Sequence, residues 1–240
     1  MTPAAPDPAD LLGDAAQRLT RTVDALHGDD WEAPSLLPGW SRAHVVAHLA
    51  LNAEGMARIL RGVVADADEA PPAMYDSDEK RDSDIADLAA QGATALRDRL
   101  LAATSELADA VASVPASGWE GRIERTPGGR SMATSSLPGM RLRELEIHHV
   151  DLDAGATTAD WPREFAEHLL DAMSRREMSS AFEVKPLDSD RTWLYGNAEA
   201  EYPVPVVTGP AADLGWWLTG RPAPETVSCS HGELPEIGAW

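Results

Sequence analysis

The sequence predicts an α+β protein: a four-helix bundle over residues 1–155, followed by a small α/β domain over residues 156–240. Two observations carry this. Apolar residues recur at helical spacing in four stretches up to Ala154, and after Gly155 the chain breaks into short segments rich in β-formers. A third observation suggests what the bundle is for. Glu144 and His148 lie four apart in Arg141-Leu142-Arg143-Glu144-Leu145-Glu146-Ile147-His148-His149, so a carboxylate and an imidazole share one helical face. His48, in the apolar run Ala43 to Leu49, can supply a second imidazole if the two helices pack together. Two histidines and one carboxylate leave an open position, which suits a catalytic metal better than a structural one.

Spacing alone does not choose this reading. Glu144 and His148 also fit an exposed helical pair worth a few tenths of a kcal/mol. His48 also fits a core histidine bonded to a backbone carbonyl.

The first helix is predicted over Pro8–Leu26, with Leu11, Leu12, Ala15, Leu19, Val23 and Leu26 in one stripe. Asp7 suits the N-cap and Pro8 the first helical position. Ser41 caps a second helix that runs to about Val64 and carries His44, His48 and Asn52. Asn52 follows His48 by four and shares its face. An acidic connection, Asp66 to Asp78, contains the apolar island Pro72-Ala73-Met74-Tyr75, a candidate pocket wall or a loop packed on the domain. Arg81 to Val114 reads as one long helix stopped by Pro115. Trp119 to Thr126 suits a strand, with a turn at Thr126-Pro127-Gly128-Gly129-Arg130. Leu137-Pro138-Gly139 leads into the fourth helix, Met140 to about Ala154. A metal in the core of such a bundle is a known architecture.

Beyond the Gly155–Asp160 connection, a helix is predicted over Trp161–Met178. Strands follow at Ala181–Val184, Thr192–Tyr195 and Val204–Val207, then a helix at Pro210–Thr219 and a last strand at Thr226–Ser230.

Composition narrows the function classes. The hydrophobic fraction of 43% and charged fraction of 25% are those of a globular protein, and no apolar run is long enough to span a membrane. The N-terminal stretch has no basic, apolar signal, which points to the cytoplasm. A formal charge of −20 argues against nucleic acid and against anionic membranes. A small anionic substrate fits only where arginines make a pocket positive, and nearly all the basic residues are Arg. The single Cys229 excludes an internal disulfide and a cysteine metal cluster. Cys229 reads as a strand thiol, so any thiol chemistry arrives with a cofactor.

Several motifs together resemble the mycothiol-dependent maleylpyruvate isomerase family, over essentially the whole chain. They are Leu37-Pro38-Gly39-Trp40-Ser41-Arg42 through His48, Met74-Tyr75, Met140-Arg141 with Arg143-Glu144, and Ile147-His148 with Val150-Asp151-Leu152. Gly220-Arg221 and the tail from Gly232 to Trp240 complete the set. The resemblance implies a DinB-like four-helix bundle and a family-type C-terminal α/β domain contributing to the active site. It implies zinc, or another divalent metal, on His48, Glu144 and His148. It also implies an arginine, Arg221, that reaches over from the C-terminal part and is needed for activity; without the family, Arg221 reads as a helix C-cap. His44 and His149 are not expected as ligands.

The implied reaction is cis–trans isomerisation of maleylpyruvate to fumarylpyruvate in gentisate degradation. A thiolate adds to the double bond, the resulting single bond rotates, and elimination restores the alkene. Zinc would lower the thiol's pKa from about 8.5 to below neutrality. Arg81, Arg141 and Arg143 are candidate contacts for substrate or mycothiol, with Tyr75 and Asn52 as further pocket candidates. A monomer is expected. Two other functions share these features: a mycothiol S-transferase acting on another electrophile, and a non-catalytic binding protein on a DinB-like scaffold.

Overall fold

The computed structural model describes residues 7–65, 73–197 and 204–238. Two compact units divide the described residues, one within residues 9–156 and the other formed by residues 7–8 with those from 157 onward.

In the first unit, helices α1 (Pro8–Asp24), α2 (Arg42–Ala65), α4 (Ala93–Ser113) and α5 (Leu137–Asp151) make the four-helix bundle. A further helix, α3 (Asp78–Ala89), packs on α2. α2 is the central element: from Val45 to Ala50 every residue is buried, as expected of a helix apolar on most of its faces. Met56, Ile59 and Leu60 of α2 pack with Ala103 and Leu107 of α4, and with Met74, Tyr75, Ile123 and Leu137. α1 is amphipathic and buries Ala15, Leu19 and Val23. Polar ties hold it: Thr22 Oγ1 lies 2.7 Å from His149 Nε2, and Arg18 pairs with the buried Glu146 of α5.

The single long helix expected over Arg81–Val114 is two helices. The chain turns at Ala90-Gln91-Gly92, where Gly92 has φ +89°, a left-handed conformation that glycine adopts without penalty. α3 also starts earlier than predicted, at Asp78, because the Ser77 side chain caps it by accepting from Lys80 N at 3.1 Å. The fourth helix likewise starts earlier, at Leu137. Pro138 falls in its first turn, where its missing N–H costs nothing. The expected strand near Trp119 begins as a 3-10 turn, Ala116–Glu120, and only β1 (Arg122–Glu124) pairs antiparallel with β2 (Ser131–Ala133). The acidic connection predicted over Asp66–Asp78 lies outside the described residues up to Pro72. From Ala73 it runs beside β1, with Met74 N bonded to Glu124 O at 3.2 Å and Tyr75 N to Arg125 O at 2.9 Å.

In the second unit, α6 (Arg163–Met173) is shorter than the helix predicted to Met178. The sheet runs in the order β4 (Trp193–Tyr195), β3 (Phe182–Pro186), β5 (Val206–Gly209), β6 (Ser228–Cys229). β3 pairs antiparallel with β4 and parallel with β5, and β5 antiparallel with β6. Phe182 stacks on Tyr195 with ring centroids 5.1 Å apart. α7 (Ala211–Leu218) packs on α6 through Gly215, whose missing side chain makes room for Leu169. No helix of the described residues is long and apolar enough to cross a membrane.

Candidate functional site

His48 sits in the buried middle of α2, and Glu144 and His148 sit one turn apart on α5. The two helices bring one oxygen, Glu144 Oε2, to 2.8 Å from His48 Nε2 and 3.3 Å from His148 Nε2. Ligand-capable atoms of the three residues all lie within 4.8 Å of one another. The imidazoles meet edge to face, with centroids 4.8 Å apart. His48 and His148 are buried, while Glu144 keeps 17% of its side chain exposed, so the cluster has a side open to a ligand.

The donor set fits a divalent metal of the zinc type: two imidazole nitrogens and a carboxylate oxygen at mutual distances one ion can bridge. An outer contact supports the fit. His148 Nδ1 donates to Asp151 Oδ2 at 2.7 Å, and Asp151 is completely buried. A carboxylate on the far nitrogen fixes the tautomer that leaves Nε2 free, as in metal-bound histidines.

The three groups respond differently to this environment. Burial pulls the His48 pKa down to about 4, although Glu144 opposes it. Burial would do the same to His148, but hydrogen bonds to Asp151 and Glu144 outweigh it and raise that pKa. Burial alone would raise Glu144, but the two histidines hold its carboxyl well below the usual range.

Around the trio lies an arginine-rich shell. Arg81, in the first turn of α3, places Nη2 3.4 Å from His48 Nδ1. Its guanidinium also lies 5.8 Å from the centroid of the Tyr75 ring, with Arg125 on the same ring at 5.5 Å. The Tyr75 hydroxyl meets Asn52 and Arg81, and its pKa is raised by burial and by the Glu144 charge. Asn52 Oδ1 accepts from Arg141 Nη1 at 2.8 Å. Arg141 is only 2% exposed, so it stands behind the site rather than on its surface. Arg143 is half-buried and lies about 200° around α5 from Arg141.

The structure thus brings together seven predicted residues of this unit: His48, Asn52, Tyr75, Arg81, Arg141, Glu144 and His148. Arg221 lies in the other unit, with its guanidinium 5.1 Å from the centroid of the Trp216 ring. The histidines set aside have other partners: His44 Nδ1 meets Ser41 Oγ at 2.8 Å, and His149 meets Thr22. Three site residues were not anticipated. Asp151 follows His148 by three, a spacing that puts it on the same face and was available in the sequence. Trp40, its ring 5.6 Å from that of His48, and Arg125 arrive through tertiary packing.

Residues 12–153 match the family model described as the mycothiol maleylpyruvate isomerase N-terminal domain, and residues 160–237 match the MDMPI C-terminal domain. A crystal structure of a mycothiol-dependent maleylpyruvate isomerase superposes with a TM-score of 0.85 at 26% identity, covering 97% of this chain and 95% of that one. A histidine-to-alanine mutant of such an enzyme superposes with a TM-score of 0.84 at 26% identity and the same coverage. No curated protein sequence matches.

Proposed function

Because the chain belongs to the mycothiol maleylpyruvate isomerase family, we propose that it catalyses the mycothiol-dependent cis–trans isomerisation of maleylpyruvate to fumarylpyruvate, a step of gentisate degradation. The observation that carries this reading is the convergence of His48, Glu144 and His148 on one point. His48, Glu144 and His148 would hold the metal, and their donor set fits zinc. When bound, zinc lowers the pKa of a coordinated thiol, and mycothiol supplies the nucleophile whose reversible addition frees the double bond to rotate.

The chain's own residues do the rest. Asp151 holds the His148 proton on Nδ1 and keeps Nε2 directed at the centre. His48 stays neutral at physiological pH because it is buried, so no proton competes there. Arg81 and Arg125 bring two guanidinium groups to the edge of the site next to the ligands, each of them also paired with an aspartate, Asp82 and Asp78, at 2.7 Å. That edge suits a substrate carboxylate or the negative charge that develops when the double bond is attacked. Tyr75 offers a hydroxyl from the same edge, and burial keeps it protonated. Arg221 is proposed as the further arginine on which turnover depends.

The test is turnover by metal-loaded protein. His48→Ala is expected to abolish it and to lose the metal, whereas Arg221→Ala is expected to abolish it with the metal retained. Full activity in chelated, thiol-free protein refutes the reading. Stoichiometric zinc with thiol consumption on other electrophiles, but no isomerisation, replaces it with a mycothiol S-transferase.

A further inference from the structure

Arg141 presents a physical puzzle. Its side chain is enclosed between α2 and α5, yet its hydrogen-bond partners are neutral. Nη1 donates to Leu49 O at 2.9 Å and to Asn52 Oδ1 at 2.8 Å, while Nη2 makes no hydrogen bond among the described residues. Burying a cation is costly, and a well-packed apolar residue at such a position usually serves stability as well or better. A tie between two helices does not need a charge at all. Glu144 supplies an opposing charge, whose attraction acts against the effect of burial on the guanidinium.

The placement accounts for the residue. Arg141 precedes Glu144 by three on α5, and Asn52 follows His48 by four on α2. Both pairs of positions are one helical turn apart on a common face. The helices run antiparallel here, so the contacts form two rungs: His48 with Glu144, and one turn away Asn52 with Arg141. The lower rung also grips the carbonyl of Leu49, the residue next to the ligand His48. It therefore fixes the register of α5 against α2 beside the ligand atoms. An apolar contact would let the helices slide or rotate by fractions of an ångström, and a coordination site tolerates little of that.

We infer that Arg141 is a positioning residue for the metal centre: by clamping α5 to the Leu49 carbonyl and the Asn52 amide of α2, it sets the register in which His48, Glu144 and His148 meet, and so sets metal affinity and geometry. The inference rests on the metal reading of the site, not on the identity of the reaction.

The experiment uses the full chain reconstituted with zinc, competed against a chromophoric chelator, and the cobalt(II) form for its visible absorption. Arg141→Met is expected to weaken zinc binding by about tenfold to a hundredfold, the range for outer contacts of metal ligands, and to alter the cobalt band. Arg141→Lys, which can still reach one acceptor, is expected to fall between. Asn52→Ala, which removes one partner and keeps the charge, is expected to weaken zinc by a smaller factor and serves if Arg141→Met fails to fold. A lower melting temperature with wild-type zinc affinity and an unchanged cobalt spectrum, in whichever of the two folds, overturns the inference and leaves a plain structural tie. Wild-type protein that binds no stoichiometric zinc overturns both the inference and the metal reading. Loss of affinity in a protein that does not isomerise maleylpyruvate upholds the inference alone.

Discussion

Asp151 accepts a 2.7 Å hydrogen bond from His148 Nδ1 within a single turn of α5, and His148 turns its other nitrogen to Glu144 at 3.3 Å. One carboxylate thus orients the imidazole and the other joins it in a potential coordination sphere. Asp151→Asn keeps the shape but removes the charge that holds the proton on Nδ1. Zinc affinity is expected to fall about tenfold to a hundredfold, measured by chelator competition. An unchanged affinity would mean that the Asp151 contact does not orient a ligand.

Glu144→Gln tests the ligand set itself. The amide retains the size of the carboxylate and loses its charge, so two imidazoles alone are left to hold a divalent ion. Metal content after dialysis is expected to fall from about one equivalent to near zero, with helical circular dichroism retained. Full metal content would exclude Glu144 as a ligand.

The two histidines titrate in opposite directions. Metal binding requires both to be neutral. Burial keeps His48 neutral down to about pH 4, whereas Asp151 and Glu144 favour the charged form of His148 and raise it above the usual 6.5. The proton therefore competes with zinc at His148. Zinc affinity is expected to fall as pH drops through the raised His148 value, which lies above the usual 6.5. In chelated protein the linkage signs differ. The stabilising contribution of His148 is fully present below about 6.5 and is lost as pH rises through its raised pKa. That of His48 is present above about 6.5 and is lost as pH falls toward about 4. A zinc affinity that stays flat until about pH 4 would contradict the assignment.

Gly55 lets the Tyr75 segment approach α2. A Cβ there would stand 2.9 Å from both the side chain and the carbonyl oxygen of Met74. The side chain can yield; the carbonyl, which accepts from Arg58 Nη2 at 3.1 Å, is less free to do so. Gly55→Ala is expected to cost about 1–3 kcal/mol. A thermal or denaturant melt measures it, and no loss of stability would show that the segment can shift.

Much of the fold was legible because its signals are local. The apolar stripe of α1 and the unbroken burial of α2 follow from periodicity, whereas the spacing of His48, Glu144 and His148 left two readings open, and only the family resemblance favoured the convergence that the fold shows. The break between α3 and α4 was not legible. Leu88 and Leu96 are eight apart and keep helical phase across Gly92, so the pattern runs through a turn that only the positive φ of Gly92 reveals. The start of α5 was hidden by Pro138, which reads as a breaker but is harmless in a first turn. In the site, Asp151 carried a usable i+3 signal. The partnership of Arg141 with Leu49 O did not, because a backbone carbonyl leaves no mark in a sequence.

The most direct test of the central claim is an ultraviolet assay of maleylpyruvate conversion by metal-quantified protein, with and without mycothiol. The account predicts formation of fumarylpyruvate only when mycothiol is present and only in protein that retains about one metal ion per chain. Conversion at the same rate without the thiol, or in fully chelated protein, would contradict it.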